Sequence, residues 1–134
     1  MCDIADALQH IHRCGYIHND LKSNNVVLEI KDDRPPNPVI IDFGKSLLAS
    51  KAKNPKAKPL YVREHHKDSY LAPKLIDGIG KPSINTDVFS LCFLIKRVYG
   101  ILKFDPLPIV GKVLKQPPES RPSISELKVC FSCN

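Results

Sequence analysis

Apolar residues recur at helical spacing near the start of the chain, at Ile4, Ala7, Leu8 and Ile11. This pattern predicts an amphipathic helix over residues 3–13, and Gly15 follows as a residue suited to end it. Two short β-branched runs come next, at 26–30 and 39–42. The sequence KDDRPPNP between them is typical of a turn, so we expect a β-hairpin after the first helix.

The strongly apolar stretch VFSLCFLI is too short to span a membrane and is expected to lie in the core. It falls inside a predicted helix over residues 87–99, for which Thr86 is a plausible N-cap. A short last helix is predicted over 123–130, because Ser123 and Glu126 have the spacing of a capping box. The fold class expected from these elements is mainly α with a short β-hairpin.

Composition places the chain among soluble proteins, since 134 residues with 43% apolar and 25% charged residues are enough for one domain with one core. The N-terminus carries acids where a secretory signal has basic residues, so we expect a cytoplasmic protein that does not contact a membrane. Five irregularly spaced cysteines fit reduced thiols. The C-x-x-C of Cys130 and Cys133 has no second pair beside it and is interpreted as incidental.

The net charge of +6 has a local origin, because the stretch from 45 to 67 holds seven basic residues and one acidic residue, Glu64. These residues are Lys45, Lys51, Lys53, Lys56, Lys58, Arg63 and Lys67. Such a run can attract nucleic acid or a phosphorylated or acidic protein. The favoured interpretation is a long irregular, solvated loop over 45–70, because aromatic residues for base stacking are lacking. Nucleic acid is therefore an unlikely partner and remains a remote alternative.

The sequence YIHNDLKSNNVVLE places a carboxylate, an amine and carboxamides between two apolar patches. Asn and Asp are common in turns, so a polar connecting loop is one explanation. Another is chemical, because Asp20, Lys22 and Asn25 together offer groups for a proton, a phosphate and a metal ion. The remaining motifs of the chain favour the chemical explanation.

Residues 18–25, HNDLKSNN, resemble the catalytic loop H-R-D-L-x-x-x-N of eukaryotic protein kinases. The tripeptide DFG follows at 42–44, and AP at 72–73 resembles the start of the element that ends the activation segment. TDVFS at 86–90 resembles the opening of the central helix, and RP at 121–122 resembles a late kinase arginine. The order and spacing of these motifs identify the chain as similar to this family, and the loop is most similar to serine/threonine kinases of the tyrosine-kinase-like group.

The resemblance implies that residues 1–134 form a partial kinase domain, with an activation segment at 42–74, the central helix at 87–99 and a C-terminal helix at 123–130. It corresponds to the large lobe and lacks the small lobe, with its glycine-rich loop and strand lysine. A protein kinase of this family uses ATP with Mg²⁺ (or Mn²⁺) and acts on a protein substrate. We expect the isolated chain to be inactive without a small lobe.

The resemblance also assigns roles to individual residues. Asp20 would be the catalytic base, and Lys22 would neutralise charge on the transferred phosphate and so contribute to ATP binding. Asn25 and Asp42 would bind the metal ion and, through it, the nucleotide. Asp87 would tie the backbone of the catalytic loop to the central helix.

Two departures from the family pattern leave an alternative open. Asn19 stands where the family has an arginine, and Lys74 stands where a glutamate is expected to pair with Arg121. Two cations in place of a buried ion pair predict a loss of stability. The set Asp20, Asn25 and Asp42 favours the first interpretation, a serine/threonine protein kinase. The missing small lobe favours the alternative, a catalytically inactive kinase-like module that binds proteins.

Overall fold

The structure is a computed structural model that describes residues 2–65, 69–105 and 107–132. Lys67 of the basic run and Cys133 of the C-x-x-C pair lie outside the described residues. Helices in the described ranges span Cys2–Arg13 (α1), Leu60–Glu64 (α2), Pro73–Ile76 (α3), Ile84–Ile101 (α4), Pro108–Lys115 (α5) and Ile124–Ser132 (α6). Strands span Tyr16–Ile17 (β1), Val26–Lys31 (β2), Arg34–Ile40 (β3) and Leu47–Leu48 (β4). The expected class, mainly α with a β-hairpin, is confirmed.

Helix α4 forms the centre of the core, as its apolar sequence predicted. Its buried side chains pack with those of α1, α5 and α6, and include Val88, Leu91, Cys92 and Ile95. Leu21 of the catalytic loop belongs to the same cluster. The loop is therefore anchored to the core through one of its own side chains.

The start of α4 differs from the prediction, because the N-cap is Ser83 and not Thr86. Thr86 lies inside the first turn, where its Oγ1 accepts a hydrogen bond from the backbone N–H of Ser83 at 2.9 Å. The same hydroxyl donates to the Ser83 carbonyl at 2.7 Å. Thr86 thus supplies hydrogen bonds to the backbone N–H and carbonyl of Ser83, the N-cap. The helix therefore starts about one turn earlier than predicted, at Ile84.

The hairpin of β2 and β3 is antiparallel, with Val26 opposite Ile40 and Lys31 opposite Arg34. Its turn is shorter than predicted, because the proline-rich stretch continues β3 from Arg34 onwards. Proline lacks the N–H of a ladder donor but is tolerated in a strand whose outer edge is unpaired. The strand also ends at Ile40, which leaves Asp42 in the loop beyond it.

The basic segment after the hairpin is more ordered than the irregular loop expected over 45–70. Leu47 and Leu48 form β4, which pairs antiparallel with β1. A 3₁₀ turn at Ala49–Lys51 and helix α2 follow. This pairing brings the basic segment against the loop at 18–25, which begins directly after β1.

The C-terminal helix begins as predicted. Ser123 Oγ accepts a hydrogen bond from the backbone N–H of Glu126 at 3.3 Å, and the backbone N–H of Ser123 donates to Glu126 Oε2 at 2.7 Å. The capping box is therefore confirmed, and α6 continues to Ser132, two residues beyond the predicted end. None of the helices in the described ranges has both the length and the apolar content that crossing a membrane requires.

Candidate functional site

The backbone of the catalytic loop is held by one carboxylate of helix α4. Asp87 Oδ2 accepts hydrogen bonds from the backbone N–H of His18 at 2.8 Å, and Asp87 Oδ1 accepts one from the N–H of Asn19 at 2.9 Å. His12 Nε2 of α1 lies 2.8 Å from Asp87 Oδ2. Asp87 is almost fully buried, so these bonds are shielded from water.

Asn19 adopts a left-handed backbone conformation with φ at 64°. Asparagine tolerates this region better than most residues, because its short side chain bonds to nearby backbone. Asn19 Nδ2 donates to the carbonyl of Lys45 at 3.3 Å, which links the loop to the activation segment. This turn directs the next residue, Asp20, inwards.

Asp20 is 3% exposed and lies at the centre of a dense set of hydrogen bonds. The hydroxyl of Tyr70 donates to its Oδ1 at 2.6 Å, and Lys45 Nζ donates to the same oxygen at 3.1 Å. Lys22 Nζ lies 3.5 Å from Oδ1. Asn25 Nδ2 donates to Oδ2 at 3.1 Å and to the Asp20 carbonyl at 2.8 Å. The structure thus brings Asp20, Lys22 and Asn25 together.

These contacts keep the carboxylate ionised. Burial alone raises the pKa of Asp20, but the hydrogen bonds from Tyr70 and Lys45 and the charges of Lys45 and Lys22 outweigh it and lower the pKa. A lowered pKa in the folded state stabilises the fold above the unfolded value of 3.8, and this stabilisation is lost as the pH falls below it. At neutral pH the carboxylate is therefore available to accept a proton.

Tyr70 and Lys45 were missed as site residues in the sequence. Both follow the DFG tripeptide and are 25 or more positions from Asp20 in sequence. The Tyr70 ring also lies 5.5 Å from Lys22 Nζ, and its carbonyl accepts a bond from Ser90 Oγ at 2.7 Å. The Y-L-A-P sequence carries no spacing signal for a contact with Asp20, because only tertiary packing determines where the tyrosine ring points.

Asp42 follows β3 in an exposed loop and also has a left-handed φ, at 61°. Its Oδ1 accepts a hydrogen bond from the backbone N–H of Gly44 at 3.1 Å. Two contacts of Ile41 join this loop to the catalytic loop. The backbone N–H of Ile41 donates to the Asn25 carbonyl at 2.9 Å, and the His18 side chain places Nε2 3.3 Å from the Ile41 carbonyl. Asp42 therefore directly follows Ile41, whose backbone N–H is bonded to the Asn25 carbonyl.

The rings of His18 and Phe43 meet edge to face, with 5.2 Å between their centroids. His18 is fully buried, whereas Phe43 is 52% exposed. The two rings therefore pack against each other. A cavity of about 440 Å³ borders Phe43, and its other lining residues are His10, Ile11, Cys14, Tyr16 and Ser46.

The residues predicted to bind metal fit Mg²⁺ by their chemistry. The amide nitrogen of Asn25 is used by Asp20, and no hydrogen bond in the described part of the chain occupies Asn25 Oδ1. Asp42 offers Oδ2 in the same way. Among the described residues no group of three or more His, Cys, Asp or Glu side chains is placed to hold a metal. Two protein ligands, Asn25 and Asp42, are enough for a hard cation such as Mg²⁺, because water and phosphate oxygens supply its other ligands.

Lys74 and Arg121, expected to form two unpaired cations, both bind neutral acceptors. Arg121 Nη1 donates to the Asn85 carbonyl at 2.9 Å, and its guanidinium lies 4.9 Å from the centroid of the Phe89 ring. Lys74 Nζ donates to Ser83 Oγ at 3.3 Å. Burial and the charge of Arg121 lower the pKa of Lys74. The expected loss of stability is therefore reduced, because each cation has a hydrogen-bond acceptor.

Replacing Tyr70 with Phe is expected to raise the pKa of Asp20, because the hydroxyl bond favours the charged carboxylate. The titration of the Asp20 carboxyl carbon, followed by ¹³C NMR, measures this change. Tyr61→Phe is the matched control, since Tyr61 is exposed and lies on α2. An unchanged Asp20 titration in Tyr70→Phe would show that the bond is not formed in solution.

Known proteins resemble the chain over most of its length. The family described as protein kinase domain matches residues 1–108. Serine/threonine-protein kinase PkaB from Streptomyces coelicolor is 28% identical over 95 residues, which are 68% of the chain and 22% of PkaB. Dual specificity protein kinase zakA from Dictyostelium discoideum is 27% identical over 108 residues, 74% of the chain and 13% of that protein.

A vertebrate relative gives the same result. Maternal embryonic leucine zipper kinase from Xenopus laevis is 31% identical over 109 residues, which are 76% of the chain. The match covers 15% of that kinase. The chain therefore spans less than a quarter of the length of each of these relatives.

Proposed function

The chain belongs to the protein kinase family, and on that premise we propose that it is the large lobe of a serine/threonine kinase that transfers the γ-phosphoryl group of ATP to a protein. The observation that carries the proposal is the geometry of Asp20. Its buried, ionised carboxylate accepts a hydrogen bond from a hydroxyl at 2.6 Å, as a general base must do with its substrate. The tyrosine-kinase-like group is proposed from the K-S-N-N sequence of the loop.

Each site residue has a role in this proposal. Asp20 orients the acceptor hydroxyl and takes its proton, and Lys22 lies beside Asp20 to balance charge on the phosphate. Asn25 and Asp42 would hold Mg²⁺ through their side-chain oxygens. The metal ion, when bound, neutralises the negative charge of the nucleotide phosphates. The serine/threonine preference rests on Lys22.

The exposed apolar surface beside Phe43 supports a second part of the proposal. Phe43 and Tyr16 border a cavity of about 440 Å³, and Tyr16 is 44% exposed. We infer that a small lobe carrying the glycine-rich loop covers this surface and supplies the remaining contacts to ATP. On this basis the chain alone is expected to bind nucleotide weakly and to transfer no phosphate, because positioning contributes most of a kinase's rate.

A catalytically inactive binding module is the second candidate, and one observation favours it. Tyr70 and Lys45 both occupy Asp20 Oδ1, so an acceptor hydroxyl must displace the tyrosine before it can reach the base. If Tyr70 is not displaced, the fold can still engage proteins without turnover. Phosphate transfer that depends on Asp20 would exclude this candidate.

Replacing Asp42 with Ala is expected to abolish binding of Mg²⁺ with ATP to the chain, because a metal ligand is lost. Isothermal titration calorimetry, with Mg²⁺ present and absent, measures the heat of nucleotide binding. Asp32→Ala is the control, since Asp32 lies in the exposed hairpin turn. Metal-dependent binding that survives Asp42→Ala would contradict the proposed site.

A further inference from the structure

A second cavity, of about 160 Å³, lies beside the catalytic loop and has a basic wall. Lys45 and Lys58 line it together with Asn19 and Tyr70. Lys45 and Tyr70, which line the cavity, both bond to the Asp20 carboxylate, so two residues connect the cavity with that carboxylate. A substrate side chain close to the acceptor hydroxyl would therefore meet these lysines.

The lysine-bearing wall is built into the fold. The backbone N–H of Lys58 donates to the Ile76 carbonyl at 2.8 Å, at the end of α3. Gly78 approaches the same stretch so closely that an added Cβ would lie 2.6 Å from the Ala57 nitrogen, and its φ is +69°. Only glycine fits this approach without strain. Residues 55–58 thus pack on the turn after α3, and this packing fixes the backbone position of Lys58.

The charge around the cavity is predominantly positive. The acid bonded to its lining residues is Asp20, whose Oδ1 accepts bonds from Lys45 and Tyr70. Lys58 forms no ion pair with any described residue. Lys74 and Lys81 add positive charge on the α3 side, where Asp77 is exposed and the charge of Glu119 partly opposes them. An acidic group would find Lys58 without an acidic partner among the described residues and Lys45 already paired with Asp20.

We propose that this cavity binds acidic side chains that flank the acceptor hydroxyl of the protein substrate. The inference rests on the proposed kinase function and names its substrate class. Aspartate, glutamate or a previously phosphorylated residue carries the charge that Lys58 and Lys45 complement. Leu71 and Leu75 line the cavity beside the lysines and suit the aliphatic part of a peptide.

A peptide fits the cavity better than a nucleic acid does. Base binding needs exposed aromatic faces, and Tyr70 is the aromatic residue in the cavity wall. Its ring is approached by Lys22 at 5.5 Å, and its hydroxyl is bonded to Asp20. The side chains of Leu71 and Leu75, which also line the cavity, offer no hydrogen-bond donors or acceptors to the edge of a base.

Fluorescence anisotropy on the chain itself tests the proposal, because binding requires no phosphate transfer. The probes are labelled peptides with one serine flanked on both sides by Asp, by Ala or by Lys, and a single-stranded oligonucleotide of equal length. We expect the Asp peptide to bind about tenfold more tightly than the Ala peptide at low salt, with the difference decreasing as salt is added. Lys58→Glu should weaken the Asp peptide about three- to tenfold and strengthen the Lys peptide.

Lys112→Glu makes the same charge change on the exposed face of α5 and is expected to leave the Asp peptide unaffected. Equal binding of the Asp and Ala peptides would overturn the inference, as would equal losses in Lys58→Glu and Lys112→Glu. Tighter binding of the oligonucleotide, lost in Lys58→Glu, would assign the cavity to nucleic acid and overturn it too. Failure of the kinase function is separate, since it would appear as absent phosphate transfer in the chain joined to a kinase small lobe, while the peptide preference of the chain itself persists.

Discussion

Asp20→Asn is expected to lower phosphate transfer by about 10²- to 10⁴-fold in the chain joined to a kinase small lobe. The amide cannot take the proton of the acceptor hydroxyl, although it keeps an oxygen that Tyr70 or a substrate hydroxyl can approach. Transfer of ³²P from labelled ATP to a generic protein substrate measures the loss. The unjoined chain, assayed beside it, is expected to show no transfer.

The control for this prediction is Asp33→Asn, in the exposed turn of the hairpin. Asp20 is also expected to stay ionised down to pH values below its unfolded pKa of 3.8, since its folded pKa is lowered. Any loss of rate between pH 7 and 4 should therefore come from other groups. Transfer that is unchanged in Asp20→Asn would remove Asp20 from the role of base.

Asp87→Ala is expected to have the largest effect on stability. The substitution leaves the backbone N–H groups of His18 and Asn19 without their acceptor and removes the partner of His12. Each buried donor left unsatisfied costs about 1–3 kcal/mol, so we expect a loss of about 3–5 kcal/mol. This is a large part of a typical domain stability of about 5–15 kcal/mol. Urea unfolding followed by circular dichroism measures it.

Two further variants make this experiment specific. Asp87→Asn keeps one carbonyl oxygen, and a loss of about half that of Asp87→Ala is expected because one backbone donor remains satisfied. Asp105→Ala removes an exposed aspartate and should change stability by less than about 0.5 kcal/mol. A loss below about 1 kcal/mol in Asp87→Ala would mean that the loop backbone finds other acceptors, and the anchoring role of Asp87 would be wrong.

The first helix, the hairpin and the central helix could all be predicted from local pattern. Apolar spacing in α1 and the apolar run of α4 reflect burial, which one stretch of sequence records by itself. The start of α4 was less predictable, because Ser83 and Thr86 both have side chains that suit a helix N-cap. The N-cap is the residue whose backbone is extended just before the helix. That residue is Ser83, which follows Pro82 and has φ at −156°.

Catalytic-site candidates close together in sequence were also predictable. Asp20, Lys22 and Asn25 lie within one loop, and their spacing matches a known motif; the structure brings them within hydrogen-bond or ion-pair distance. Asp87 was predicted to tie down the loop, and its two backbone bonds confirm that. The catalytic and metal-binding roles of Asp20, Lys22, Asn25 and Asp42 remain predictions.

The sequence by itself determined the family and the residues that the catalytic loop presents, since both depend on residue types at fixed short spacings. Only the tertiary structure decided that Tyr70 and Lys45 reach Asp20, from 50 and 25 positions away. It also decided that Lys58 lines one cavity with them and that Lys74 and Arg121 have neutral acceptors. The physical reason is that side-chain direction in an activation segment depends on long-range pairing, here of β1 with β4, which no local pattern encodes.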